Sequence, residues 1–256
     1  MDLSTNQIHL WFADHADFEV DELQASCDEW LTKAELVRCN RFQIEKRRKE
    51  YLLGKMLVRT VLSEYGSLSP GQWQFTENQY GRPSVPAGLV TPDIHFNLSH
   101  SGERLVLAVS RMPEIGVDIE ASSRMRRVER IAGRYFSEAE IDALLQLDKE
   151  GQLMRFYELW TLKESYIKAR GMGLALPLQK FGFEIAREGA IAFHAARELD
   201  AEPGRWRFWQ LEPGGDYKLA LALKPGADSG VIQIDSFQRS TVSGMRALES
   251  RILRQS

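Results

Sequence analysis

The chain has 256 residues, 43% of them hydrophobic and 27% charged, with a formal net charge of −3. That composition supports a full hydrophobic core, in one large domain or two small ones. The slightly acidic balance argues against a dedicated nucleic-acid binder, a class that is basic as a rule. Cys27 and Cys39 lack the companion Cys or His ligands of a zinc site and read as reduced thiols. The N-terminal stretch MDLSTNQIHLWFADHADFEV has no basic start followed by an apolar run. No segment approaches the roughly 18 apolar residues of a membrane span. A cytoplasmic protein is expected.

In chain order, residues 8–12 (IHLWF) suit a first strand, and residues 21–30 place Leu23 and Trp30 at helical intervals among acids. Residues 33–62 are strongly helical, with Leu36, Phe42, Leu52, Leu53, Met56, Leu57 and Val61 as an apolar stripe. The basic cluster Lys46, Arg47, Arg48 and Lys49 within it is by default a solvated face. Residues 65–92 are rich in Gly and Pro, with a short strand expected at 73–76. Residues 94–98 and 105–110 read as strands joined by a turn at Ser99-His100-Ser101-Gly102. A second turn at 111–114 leads into a third strand, residues 115–120 (IGVDIE).

Residues 124–147 predict two helices broken near Phe136-Ser137, where Ser137 and Glu140 have the form of a capping box. Residues 153–169 predict a long helix ended by Gly171. Residues 181–185, 191–193, 206–211 and 218–222 alternate like strands, and residues 240–253 have the pattern of a terminal amphipathic helix. The fold class is α+β, with helices and antiparallel strands mixed.

Two elements carry the chemistry. In IGVDIE, Asp118 and Glu120 are two apart, so on a strand they share a face while Val117 and Ile119 point into a core. Two adjacent carboxylates gain from a shared cation, and hard oxygen ligands favour Mg²⁺. The bland alternative is a polar strand face in water. In WTLKESYIK (residues 160–168), Trp160, Glu164 and Lys168 share a helix face. The bland alternative is an i, i+4 Glu–Lys pair; the indole on the same face suggests a cleft instead. Together these parts allow metal-assisted phosphoryl chemistry. There is no GxxxxGK[ST], no GxGxxG after a strand, no HExxH and no GxSxG.

GVDIE at 116–120, WTLKESYIK at 160–168 and GMGL at 171–174 together resemble the surfactin-synthetase-activator (Sfp) type of 4'-phosphopantetheinyl transferase. Each motif alone is weak; their order and spacing are specific. Upstream, Tyr80-Gly81-Arg82-Pro83 resembles the family's G-[KR]-P turn, and Phe96-Asn97-Leu98-Ser99-His100-Ser101 its F-N-[ILV]-S-H-[ST] segment. Residues 38–59, with Leu52-Leu53-Gly54, and residues 136–140 (FSEAE) resemble further family segments. The likeness covers roughly residues 8–225.

The resemblance implies two similar α+β subdomains in pseudo-twofold arrangement with the active site at their interface. Residues 1–113 would supply the coenzyme A contacts, and residues 114–256 the metal ligands and catalytic helix. It implies a monomer that transfers the 4'-phosphopantetheine group of coenzyme A to a serine of an apo acyl or peptidyl carrier protein, releasing 3',5'-ADP. Asp118, Glu120 and Glu164 would hold Mg²⁺. Glu164 would also take the serine proton, and Lys168 would stabilise charge on the transferring group and contact coenzyme A. Arg38, Arg82, Pro83, Asn97, Ser99 and His100 would bind coenzyme A. Glu140 would be a further helper near the site; the bland alternative is helix capping, which accounts for it fully. Two positions depart from the pattern: Glu35 stands where some members place a lysine, and Glu50 where some place an arginine. Arg47 or Arg48 could substitute.

Arg124, Arg126, Arg127, Arg130 and Arg134 follow the carboxylate strand. A basic patch there would speed encounter with acidic carrier proteins; the bland alternative is a solvated helix face. Two rival functions remain. A Mg²⁺-dependent pyrophosphate hydrolase shares the carboxylates but leaves the F-N-L-S-H-S segment and Lys168 unexplained. A non-catalytic carrier-binding module would be marked by a lost carboxylate, and none is lost.

Overall fold

Strand β1 (Gln7–Asp14) takes the first apolar run, and helix α1 (Val20–Trp30) buries Leu23 and Cys27. The helical stretch that follows is split. Helix α2 (Lys33–Cys39) is opened by a capping box in which Thr32 Oγ1 accepts from the Glu35 amide. It closes in tight turns, with the Arg41 and Phe42 amides donating to the carbonyls of Arg38 and Cys39. Helix α3 (Glu45–Ser63) then starts afresh and buries Leu52, Leu53, Met56, Leu57 and Val61. The computed structural model describes residues 1–123, 128–186, 189–200, 202–226 and 229–256.

Two short strands follow, β2 (Thr76–Glu77) and β3 (Pro83–Ser84). Trp73, expected in a strand, is instead 2% exposed in the core. Strand β4 (His95–Ser101) takes in Ser99, His100 and Ser101, so the turn into β5 (Arg104–Ser110) is only Gly102-Glu103, with φ +64° at Gly102. Strand β6 (Ile115–Ala121) carries the carboxylate pair. Helices α4 (Val128–Tyr135), α5 (Glu138–Leu145) and α6 (Lys149–Arg170) follow. The Asp148 side chain caps the start of α6, and Gly171 ends it in the left-handed conformation, φ +64°. Strands β7 (Phe181–Ile185), β8 (Ile191–Ala195), β9 (Arg207–Glu212) and β10 (Tyr217–Leu223) lie where alternation placed them.

The terminal helix expected at 240–253 is absent. Strands β11 (Gln233–Arg239), β12 (Met245–Ala247) and β13 (Arg251–Gln255) stand there. Met245 and Ile252, apolar residues of that segment, are 47% and 44% exposed, so they bury no helix face in a core. Backbone pairing decides instead: β12 adds to β11 and β13 to β9.

The chain divides into two units. The first comprises Met1–Glu77, Pro83–Arg111 and Gly230–Glu249; the second Asn78–Arg82, Met112–Ser229 and Ser250–Ser256. The second unit thus takes the turn Asn78–Arg82, and the first takes back the segment Gly230–Glu249. The first unit has a five-stranded sheet in the order β12-β11-β1-β5-β4, with β1 and β11 parallel and the other pairs antiparallel. Helix α3 covers β4 and β5, where an added Cβ at Gly54 would stand 3.4 Å from Leu98.

The second unit has a four-stranded antiparallel sheet, β13-β9-β10-β6, and a β7–β8 hairpin. Helix α6 packs on β6 and β10 over a core that includes Phe156, Tyr157, Leu162, Tyr166 and Phe208. No helix among the described residues is long and apolar enough to cross a membrane.

Candidate functional site in the second unit

Alternation along β6 puts Gly116, Asp118 and Glu120 on one face. That face meets α6. A Cβ on Gly116 would lie 2.1 Å from the Ser165 carbonyl oxygen and 2.5 Å from the Ala169 amide nitrogen, so only glycine lets the helix backbone come this close. Opposite on β10, Ala222 faces Gly116 and Ala220 faces Asp118, extending the small-residue floor. The approach brings the two motifs together. Lys168 Nζ lies 2.7 Å from Asp118 Oδ1, and Asp118 is 5% exposed. The ammonium thus crosses from the helix to a carboxylate fifty positions earlier in the chain. Glu164 sits one turn before Lys168 and, like Glu120 and Lys168, is half-buried.

The carboxylates offer the hard oxygen donors that suit Mg²⁺. As the side chains stand, the Lys168 ammonium is on Asp118. Among the described residues no three His, Cys, Asp or Glu are grouped to hold a metal ion.

The flank of α6 is fixed by two buried polar ties that the sequence reading did not assign. Lys163 is 0% exposed. Its Nζ lies 2.9 Å from Glu140 Oε2 and donates to the carbonyls of Leu178 (2.9 Å) and Phe181 (2.6 Å). Burial lowers its pKa, and Glu140 opposes that shift. Glu140 also completes the capping box with Ser137 and accepts the Phe183 amide at 2.9 Å. On another side, buried Asp200 accepts from Trp206 Nε1 at 2.6 Å and pairs with Arg170 at 3.2 Å; Tyr166 Oη lies 3.2 Å from the same oxygen. The signal for Lys163 was present: Leu159, Tyr166 and Ile167, three and four positions away, are all buried apolar neighbours on its helix face. Trp160 stacks on Phe156 and meets Tyr135 edge-on, as core packing.

Arg82 belongs to the second unit, and its guanidinium is engaged there by main-chain carbonyls. Nη1 donates to Ala169, and Nη2 to Ile115 (2.9 Å) and Pro113 (3.2 Å). Of the basic run after β6, residues 124–127 lie outside the described residues. Arg130 and Arg134 sit on α4.

In the first unit, Arg38, Pro83 and His100 line one cavity of about 1200 Å³ walled by Tyr51, Phe75 and Phe96. Arg47 joins them, while Arg48 turns away to Gln24. Phe96, Leu98 and His100 share the cavity face of β4, which leaves Asn97 and Ser99, both buried, on the opposite face. Glu50 Oε1 lies 3.4 Å from His100 Nδ1. Glu35, the other departure, is the half-buried anchor of two cations, Lys55 at 2.7 Å and buried Arg59 at 2.9 Å. Burial alone would raise its pKa, but Lys55, the Thr32 amide and Arg59 overcome that and hold it at about 2.

Residues 21–112 match a family profile described as "4'-phosphopantetheinyl transferase, N-terminal", and residues 114–222 one described as "4'-phosphopantetheinyl transferase superfamily". Against 4'-phosphopantetheinyl transferase Sfp of Bacillus subtilis the chain is 36% identical, over 72% of its own length and 78% of that protein's. This chain belongs to the 4'-phosphopantetheinyl transferase family. Two other relatives of the transferase are similarly long matches. It is 36% identical to 4'-phosphopantetheinyl transferase ffp of B. subtilis, over 77% of this chain and 84% of that one. It is 32% identical to 4'-phosphopantetheinyl transferase HetI of Nostoc sp., over 86% and 89%.

Proposed function

We propose that the enzyme moves the 4'-phosphopantetheine arm of coenzyme A onto a serine of an apo acyl or peptidyl carrier protein, with release of 3',5'-ADP. The observation that carries the reading is the meeting of Lys168 with Asp118 on the face that β6 turns toward α6. Asp118, Glu120 and Glu164 would hold Mg²⁺, which when bound neutralises pyrophosphate charge and polarises the phosphorus under attack. Glu164 takes the proton from the serine hydroxyl, directly or through water, as the oxygen attacks the β-phosphorus. Lys168 donates to the oxygens that gain charge as the phosphoanhydride bond breaks. It is half-buried, so its charge acts through less water than a surface lysine's. In the first unit, Arg38 and His100 face the cavity that would take the coenzyme A phosphates, with Pro83 beside them, while Asn97 and Ser99 lie on the strand of His100 but on its other face.

The test is a mass-shift assay across a small panel of apo carrier proteins with coenzyme A, with and without Mg²⁺. The expected result is gain of a phosphopantetheine arm on a carrier, only with the metal, and its loss in Asp118→Asn. Replacing Lys168 with Met should depress kcat more than coenzyme A affinity. Release of free phosphopantetheine with no carrier modified would favour the hydrolase. Full transfer by Asp118→Asn would remove the site from β6.

A further inference from the structure

We infer that Arg82 is a positioning residue, one that locks the strand bearing Asp118 and Glu120 to the helix bearing Glu164 and Lys168, and not a ligand of coenzyme A. The inference rests on the transferase reading above.

The turn that carries Arg82 is internally fixed. Asn78 Oδ1 accepts the amides of Tyr80 (2.9 Å) and Arg82 (3.0 Å), the Asn78 amide donates to the Arg82 carbonyl (3.1 Å), and Gly81 supplies the positive φ of +83°. The turn is seated on the end of α6. Asn78 Nδ2 donates to the Gly171 carbonyl at 2.7 Å. A Cβ on Gly171 would come within 2.8 Å of Arg82 Cδ, so the glycine that ends the helix also admits the arginine stem.

From there the guanidinium bridges two elements. Ala169 lies in the last turn of α6, whose carbonyls have no partner within the helix and where the helix dipole favours a cation. Ile115 opens β6, three residues before Asp118. Nη1 holds the first carbonyl and Nη2 holds the second together with Pro113. One planar fork therefore fixes how far β6 slides along α6. The same slide sets whether Lys168 reaches Asp118. A phosphate would have to compete with three carbonyls for these donors. A lysine cannot take over, since its single ammonium lacks the fork that spans two elements.

The test compares Arg82→Lys, Arg82→Met and Asn78→Ala with the unaltered enzyme, using coenzyme A and 3'-dephospho-coenzyme A with one apo carrier. In both Arg82 variants kcat should fall by at least about tenfold, with KM for coenzyme A within about threefold and the same loss on the dephospho analogue. Amide hydrogen exchange should quicken at residues 115–118 and 168–172. Asn78→Ala should move both readouts the same way by less. Arg82→Lys decides the matter if Arg82→Met does not fold. A KM for coenzyme A raised tenfold with kcat retained, and normal behaviour on the dephospho analogue, would make Arg82 a phosphate ligand and overturn the inference. So would kinetics and exchange that do not change. Failure of the unaltered enzyme to modify any carrier would instead remove the function reading itself.

Discussion

Lys163→Met leaves Glu140 in place, 3% exposed and without its cation. Removing one member of a buried ion pair costs about 3–5 kcal/mol, because the survivor stays charged in a poor solvent. Glu140 keeps the donors of Ser137 and Phe183, which limits its loss. The carbonyls of Leu178 and Phe181 lose theirs, which adds to it. The expected cost is therefore about 4 kcal/mol. For a chain of this size that lowers Tm by roughly 8–16 °C. Glu140→Gln keeps the capping box but strands the lysine, and should be destabilising as well. The double variant carries no buried charge, so it should be more stable than Lys163→Met by at least about 2 kcal/mol. Urea unfolding of the four proteins, read by tryptophan fluorescence, gives the coupling energy. A single variant costing less than about 1 kcal/mol, or a double no better than the single, would refute the argument that the pair holds α6.

Gly116→Ala puts a methyl group where the Ser165 and Ala169 backbones now stand. Its cost should reach about 3 kcal/mol or more, with transfer activity falling further than stability predicts; denaturation and kcat on one preparation measure both. Glu35 has its pKa held at about 2 in the folded chain against an ordinary 4.5, so its ionised form contributes stability above about 4.5. That contribution drains away as the pH falls through the window between the two values. Glu35→Gln should be less stable near neutrality and should show a flatter pH dependence across that window in thermal melts. Parallel curves for the two proteins would contradict the network.

Much of the site could be read from local rules. A period of two placed Asp118 and Glu120 on one face, a glycine marked the end of α6, and Ser137 with Glu140 formed the expected capping box. What escaped depends on partners far along the chain. Lys168 meets Asp118, fifty positions earlier in the chain. Lys163 looked like one more charge in WTLKESYIK until β7 and α5 closed over it. Gly116 reads as an ordinary strand residue unless the helix behind it is known. The terminal strands failed for a related reason. β12 and β13 bury little, so no strand alternation marks them, and only the strands they join explain their conformation. The turn at Arg82 carried a family motif, yet its side chain goes to carbonyls that no motif specifies.

The parallel pairing of β1 with β11 has a consequence for how the protein is made. Gln7 pairs with Gln233, so the sheet of the first unit needs residues from nearly both ends of the chain. During synthesis β1 leaves the ribosome early and can pair with β5, but its other edge stays open until β11, more than 200 residues later, has emerged. An open hydrophobic edge is a template for wrong pairing, and contacts this distant in sequence form slowly. The first unit should thus reach protease resistance only after residues 230–249 have left the ribosome, and crowded nascent chains should depend on chaperones through that interval.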